Sequence, residues 1–567
     1  MLADGPLTVC WELQEHRQLS TKTEDANAGN PFCVQFLQVH GRISSLRNKK
    51  GFGSTFEIRS TMKMKIRGEF FIICLLSAVI FLIYYEYTNP LPIFYRRNNQ
   101  SANISKAIAF NARGIARKLR PYNVYIMNAY LIGDEDTRII LLTKCKYFAK
   151  LVIHSGEGSV FPVTLELLDD CPPYWLKGCK YAGQYGSVKI PKELAESILA
   201  GSRSLQISYA DEMHNSKPLK LIDSRISKQQ KATHKLAVCV YPVIQVTDWT
   251  ELVRFMEMWI AHGVTKFFFI IQSFSKEFDA MLRIYENDHR IDVERVHWGV
   301  LPTVSNISTD DDPNGNVNRG EQVLATNDCL LRARGQATYV ATVDLDEVFV
   351  IRTKLNMLQT IDLFFGNASN AGAVIFRSAY ATFNNEWKSA THPIQLDFNI
   401  HREVMLESVV WNVGQMSKLI VRPEMIKVAD VHYVKTMEKQ DATAVTLDPE
   451  IGKIYHLRLV RWMYAQPNTS SRNYELQKYV PIWMKQYKQR LRAEIRRLKM
   501  SKSTDALTLL NRTWPNRGAL VMEELENCMF TMMADENTCP AHYKCTNNLQ
   551  NIRKDEWLYA KNTWTVL

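Results

Sequence analysis

No C-x-x-C pair occurs anywhere among the 567 residues, and the dispersed basic residues come with no zinc-finger, helix-turn-helix or RNA-binding signature. Nucleic acid is therefore not expected as a partner. The formal charge of +12 and the isoelectric point near 9.0 still suit an anionic membrane surface or a phosphate-bearing substrate. The 13 histidines form no rich His/Asp cluster of the kind a metal-dependent phosphodiesterase needs. Nor is the chain short of apolar residues: at 46% hydrophobic it reads as globular, with room for two folded domains and an appended segment.

Charge and helix breakers are missing from one stretch, Phe70 to Tyr85 (FFIICLLSAVIFLIYY). With its flanks it approaches the roughly 20 residues that span a bilayer. Lys63, Lys65 and Arg67 precede it and Tyr84, Tyr85 and Tyr87 close it, so the basic side is expected in the cytoplasm and all that follows Asn89 in the lumen. No small-residue cleavage site occurs in the following YYEYTNPLP, which favours a retained signal anchor over a removed leader. The expected organisation is a disordered cytoplasmic tail over 1–61, a transmembrane helix over 62–89 and a luminal stem over 90–120. A small β-rich domain over 121–234, an α/β domain over 235–500 and a cysteine-containing extension over 501–567 follow. Sequons at Asn99, Asn103, Asn306, Asn367, Asn468 and Asn511 all follow the anchor, as do eight of the eleven cysteines. Disulfides are a better expectation than a zinc site at Cys539, His542 and Cys545.

From Lys235 the pattern alternates buried-strand runs with helical spacing: LAVCVYPVIQV, then WTELVRFMEMWIAH, VTKFFFIIQ, SKEFDAMLRIYEND, IDVERVHW, a helix over Gly320 to Arg334, and TYVATV. Such alternation predicts a mostly parallel sheet with helices on both faces and a ligand beyond the strands' carboxyl ends. At that edge stand Asp344, Leu345, Asp346 and Glu347. A strand alternates its side chains, so Asp344 and Asp346 are expected to point the same way as the strand ends, and paired carboxylates suit Mn²⁺ or Mg²⁺ bridging a departing diphosphate. The basic stretch Lys485 to Lys502 reads as a solvated helix.

Several stretches in order resemble glycosyltransferase family 92: VCVYPVIQVTDWTELVRFMEMWIAHGVTKFFFI, NDCLLRARGQATYVATVDLDEVFV, SKLIVRPEMIKVADVHYV and IYHLRLVRW, together covering about Lys235 to Tyr487. The resemblance implies a GT-A fold, an inverting mechanism, a UDP-sugar donor (most often UDP-galactose) and a type II Golgi membrane protein. It extends to a glycan acceptor, with β1,4-linked galactose on core fucose of N-glycans as the specific expectation. By the same resemblance Asp344 and Asp346 are metal ligands, joined by His432, with His456 competing for that place. Asn327, Asp328, Glu347, Lys418, Arg422, His456 and Arg458 fall to the donor side. An inverting transfer also needs a base for the acceptor hydroxyl. Glu386, Glu403 and Glu407 lie between the acidic tetrad and His432, and Glu407 is the candidate. The rival class is a catalytically silent luminal glycan-binding or assembly protein that keeps the fold.

Overall fold

The computed structural model describes residues 8–10, 33–35 and 124–567, apart from 156–157, 173–175, 228–230, 305–306, 384–389, 459–469, 516, 547–548 and 550–555. The expected anchor and stem lie outside these residues, as do Asn99, Asn103, Asn306, Asn468 and Glu386. Among the described residues no helix is long and apolar enough to cross a membrane. The chain divides into two compact units, Met1–Lys106 and Ala107–Leu567. In the first, Thr8–Cys10 pairs antiparallel with Cys33–Gln35. Everything below concerns the second.

Short alternating runs build its first sheet: β1 (Tyr125–Leu131), β2 (Asp136–Lys144), β3 (Leu151–His154), β4 (Val160–Leu167), β5 (Tyr181–Lys189), β6 (Leu205–Tyr209), β7 (Lys217–Leu219) and β8 (Leu221–Asp223). Their order is β8-β1-β2-β5-β4-β3-β6-β7. One face is closed by α1 (Lys192–Leu199) over Ile139, Leu141, Ile153 and Ile207. Residues of opposite parity, Tyr130, Ile140, Leu142 and Tyr185, pack instead into the core of the second sheet.

That second sheet contains β9 (His234–Val243), β10 (Lys266–Ile271), β12 (Asp292–His297) and β13 (Ala337–Val343), joined by α2 (Trp249–Ala261), α3 (Lys276–Glu286) and α4 (Gln322–Ala333); β11 (Ser273–Ser275) lies apart. Its order is β12-β10-β9-β13, all parallel. Beyond β13 come β18 (Lys418–Val421), β15 (Ala371–Phe376) and β21 (Thr443–Thr446). Only β18 runs against the rest. The strands are apolar throughout because both faces are covered. Cys239, Phe268 and Ile270 share a core with Leu324 and Cys329 of α4. Phe269, on the other face, meets Phe255 of α2 at 6.4 Å. The expected α/β sheet is present. Its order reverses between β9 and β13, and at such a switch point the flanking connections leave for opposite faces and open a crevice at the carboxyl ends.

A smaller sheet, β14-β22-β16-β17-β23, is formed by β14 (Glu347–Ile351), β16 (Ser378–Phe383), β17 (Val404–Glu407), β22 (Gly452–Arg458) and β23 (Ser470–Asn473). Between these lie α5 (Met357–Asn367) and the hairpin of β19 (Ile426–Ala429) with β20 (Val434–Met437). The basic helix α6 (Val480–Met500) is less solvated than its charge suggests. It buries Trp483, Tyr487, Leu491 and Arg490, the last paired with Glu257 of α2. Asn367 and Asn511 are both exposed, as glycan acceptors must be.

The extension wraps back over the body. After α7 (Thr504–Asn511), Trp514 packs on Trp249 at 4.9 Å. Then come α8 (Gly518–Met533) and the single turn α9 (His542–Cys545). Next β24 (Trp557–Tyr559) pairs with β11, Trp564 packs on Trp298 at 5.0 Å, and β25 (Thr565–Val566) pairs with β1. All eight cysteines after residue 89 pair, as Cys145–Cys171, Cys179–Cys539, Cys239–Cys329 and Cys528–Cys545, so no thiol remains for a zinc site at Cys539 and Cys545. Cys179–Cys539 closes 360 residues of sequence separation. Replacing both by serine should lower stability by about 2–4 kcal/mol, because the unfolded chain regains the closed-loop entropy. Denaturant unfolding measures this; an unchanged midpoint, with no 179–539 linkage in a non-reducing peptide map, would refute the pairing.

Candidate active site

Strand β13 is buried along its length and delivers the chain to the crevice at Val343. There it stops being a strand: Asp344 to Asp346 form a turn, and Glu347 starts β14 in the other sheet. Strand alternation therefore does not govern the two aspartates, which engage different cations. The turn is clamped on three sides. Arg254 of α2 donates to the Leu345 carbonyl, the Leu457 amide to the Asp346 carbonyl at 2.9 Å, and the Asp344 amide to Glu347 Oε2 at 3.1 Å.

The antiparallel register of β13 with β18 sets Thr342 beside Leu419 and Val340 beside Val421. Lys418 consequently arrives next to Asp344. Its Nζ donates to Asp344 Oδ2 at 2.7 Å, stands 3.6 Å from Glu347 Oε1 and lies over the Tyr241 ring. Lys418 is fully buried. Burial opposes its charge, but the two carboxylates outweigh burial and hold the ammonium well above the usual lysine range. Glu347, buried too, is driven up by desolvation despite Lys418. Arg422 is carried to the far end of the same strand, about 13 Å along it. There it donates to the Ser369 and Phe365 carbonyls and lies over the Phe365 ring. The expected basic pair is thus split, with only Lys418 at the tetrad.

Asp346 is met from β22. His456, directly opposite Glu347 in register, places Nε2 3.1 Å from Asp346 Oδ2, and Arg458 Nη1 reaches the same oxygen at 2.9 Å. Burial raises this carboxyl, yet His456 and Arg458 overturn that and hold it below the ordinary carboxylate range. His456 itself is pushed down by burial and by Arg458. Both cation contacts fall on Oδ2 atoms, while Asp344 Oδ1 accepts from the Gln322 amide at 3.5 Å.

Four expected site residues have protein partners of their own. His432 donates from Nδ1 to the Ser417 carbonyl at 3.0 Å, and burial and Lys418 push its pKa down to about 3. Among the described residues no three His, Cys, Asp or Glu side chains converge as metal ligands, so Asp344, Asp346 and His432 do not form a preassembled trio. Asn327 ties α4 to β19 through the Ala429 amide and carbonyl, at 2.9 and 2.7 Å. Asp328 accepts from Tyr130 and Arg332, both at 2.6 Å, and so joins α4 to the first sheet. Both side chains are buried and hold α4 against its neighbours. Glu407 ends β17 and accepts from the Trp411 indole at 3.2 Å. Glu403 pairs with Arg472 at 3.3 Å.

The crevice is a cleft of about 990 Å³ including its open mouth. Val240 to Asp248 at and beyond the end of β9, Arg319 and Gln322 at the start of α4, Asp344 to Asp346, Glu251 of α2, and Glu526 of α8 surround it. Left-handed backbone collects here, at Gln245 (φ 54°), Arg319 (φ 45°), Gly320 (φ 67°) and Glu321 (φ 59°). Non-glycine residues in that region cost on the order of 1–3 kcal/mol each, a strain that gathers at working sites. Sequence reasoning missed Arg254, Glu251, Arg319 and Glu526. Apolar helix spacing hides the first two, a Gly-rich loop the third, and distance along the chain the fourth.

If the contacts of Lys418 with Asp344 and Glu347 hold this end of β18 to the turn, Lys418→Met should cost about 3–5 kcal/mol by breaking a buried lysine's pairing. Adding Glu347→Gln should recover a large part of that loss in a denaturant double-mutant cycle. Strictly additive effects would show that the contact carries no coupling.

Residues 234–495 match the sequence model of Glycosyltransferase family 92. The chain is 24% identical over 383 residues to the Caenorhabditis elegans protein named Glycosyltransferase family 92 protein F13G3.3, covering 64% of this chain and 67% of that one. It is 25% identical over 242 residues to Beta-1,4-galactosyltransferase galt-1 of the same organism, covering 42% of this chain and about half (51%) of the relative. Among solved structures, S. aureus TarS 1-349 aligns at 12% identity over 39% of this chain and 60% of that one with a TM-score of 0.21, and a UDP-glucose pyrophosphorylase complexed with UDP-glucose at 9% over 45% and 99% with 0.18; neither carries weight. Together with the ordered motifs, the match shows that residues 234–495 of this chain belong to glycosyltransferase family 92.

Proposed function

We propose that this chain transfers a sugar, galactose from UDP-galactose, to a glycan acceptor with inversion at the anomeric carbon. The observation that carries the reading is the switch-point cleft, where Asp344 and Asp346 stand on the mouth of a parallel sheet beside the cations Lys418, Arg458 and Arg319. Family membership supports the reaction class, and the name of the galactosyltransferase relative supports the donor.

Each aspartate commits one oxygen to a protein cation, which leaves donors of the hard-oxygen type that Mn²⁺ or Mg²⁺ prefers. Asp344 and Asp346 would hold that ion, and its chemistry when bound is to neutralise charge on the departing diphosphate. Lys418 fixes the orientation of Asp344 and adds positive potential from below the cleft floor. Arg458, anchored on Asp346, does so from its side, and Arg319 at the lip faces the incoming anion. His456 orients Asp346 through Nε2. The acceptor we favour is core fucose of N-glycans, in β1,4 linkage. The setting we favour is the Golgi lumen behind a type II anchor over 62–89. The complete pairing of the eight cysteines beyond that segment supports an oxidising compartment.

Incubating the intact chain with Mn²⁺, a panel of UDP-sugars and fucosylated glycans should give turnover with UDP-galactose alone among the donors. Asp346→Asn, which keeps the shape and removes the charge, should abolish it and weaken Mn²⁺ binding in calorimetry of the protein without donor. Glycan binding without turnover of any donor would instead establish the silent-lectin reading.

A further inference from the structure

The roof of the cleft comes from outside the family segment. Helix α8 lies wholly in the extension, and its Gly518, Val521, Met522, Leu525 and Glu526 line the cleft opposite the acidic turn. Its seating is fixed at both ends. At Gly518 a Cβ would meet Asp248 at 2.7 Å, so only glycine lets the helix start that close to the N-cap of α2. Near its other end, Cys528–Cys545 staples it to α9, which Cys179–Cys539 in turn holds close to the first sheet.

Glu526 is the one acid this roof brings to the cleft. Arg458 Nη1 contacts both Asp346, at 2.9 Å, and Glu526 Oε1, at 3.4 Å, so the two carboxylates lie no farther apart than those contacts end to end. Glu526 Oε2 is shielded from solvent and has no hydrogen-bond partner among the described residues. The other cleft carboxylates already have work. Asp248 caps α2 through the Thr250 and Glu251 amides, Glu251 is buried and pairs with Arg254 at 3.6 Å, and Asp344 and Asp346 hold the cations described above. Burial raises the Glu526 carboxyl, Arg458 opposes this and Asp346 adds to it, the direction that strengthens a carboxylate as a proton acceptor.

Resting on the transferase reading above, we propose that Glu526, not an acid of the family segment, is the general base that deprotonates the acceptor hydroxyl. In the step, the acceptor O–H bond breaks and its proton passes to Glu526 Oε2. The freed oxygen pair forms the new bond to the anomeric carbon as the bond from that carbon to the diphosphate oxygen breaks, its electrons leaving with the nucleoside diphosphate. Arg458 favours the carboxylate form of Glu526 and ties the position of the base to that of Asp346.

The test uses the full chain with UDP-galactose, Mn²⁺ and a fucosylated glycan. Glu526→Gln should lower kcat by ~10²–10⁴, the range of a lost acid–base group, while donor KM and the thermal midpoint stay put. Formate should restore turnover to Glu526→Ala, since it returns a small carboxylate to the vacated space, and should do nothing for the parent. Unchanged kcat in Glu526→Gln overturns the assignment. So does joint loss of donor affinity and kcat without formate rescue, which marks Glu526 as a mere counter-ion for Arg458. Should the glutamine variant misfold, Glu526→Asp decides: reduced kcat at unchanged donor KM supports the base, and full kcat refutes it. A parent inert towards every donor defeats the transferase reading itself, a result distinct from any of these.

Discussion

One buried ammonium organises the centre of this molecule. Lys418 has no solvent exposure, yet it stays charged because Asp344 and Glu347 close around it from the end of one sheet and the beginning of another. Glu347 is buried beside it, Asp344 closes the side nearer the cleft, and the lysine could not remain buried without them. The pairing is imposed by register, since β18 runs antiparallel to β13 and so presents its first residue where β13 gives out. The turn that follows is consequently held in place before any ligand arrives. Preorganised charge of this kind is what a site needs if it is to stabilise a phosphate without reorganising.

Around that centre the two sheets and the extension behave as parts of one device. Tyr130 reaches Asp328 from the first sheet, and Asn327 reaches Ala429, so α4 is bolted on two sides and its first turn is held at the cleft. The left-handed run at Arg319, Gly320 and Glu321 can persist because Glu321 accepts from the Gly183 amide of β5 at 2.9 Å. Backbone strain in the cleft is thus supported by a sheet that contributes nothing to the cleft lining. The β-rich region acts as a brace.

Much of this was legible in the sequence where physics is local. Alternating apolar strands and amphipathic helices from Lys235 onward specify the parallel sheet, and the acidic tetrad marks its carboxyl edge. The cysteines said that crosslinks exist but not which, because pairing depends on distances that the fold creates. Where the reading depended on a strand continuing through Asp344, it failed, since the chain turns to enter the second sheet. Lys418 and Arg422 part company for a plain structural reason. A motif records which residues are near one another in sequence, while four residues of strand are enough to carry one charge into the site and the next to a helix end.

The residues that sequence reasoning could not find are the ones supplied across long separations. Arg458 is 112 positions from Asp346 and 68 from Glu526, and it joins them through one nitrogen. A contact of that sort leaves no periodicity, and the extension's own composition gives only indirect signs: Trp514 and Trp564, which need aromatic partners to be buried, and three cysteines close together. Those features indicate a segment that packs on something. What it packs on follows from the cleft. An α/β sheet with a crevice at its switch point leaves strand ends and helix starts exposed on one side. A tail tied by disulfides gains by burying its apolar residues, Val521 and Leu525 among them, against that edge. The same packing that stabilises the tail therefore also forms one wall of the cleft.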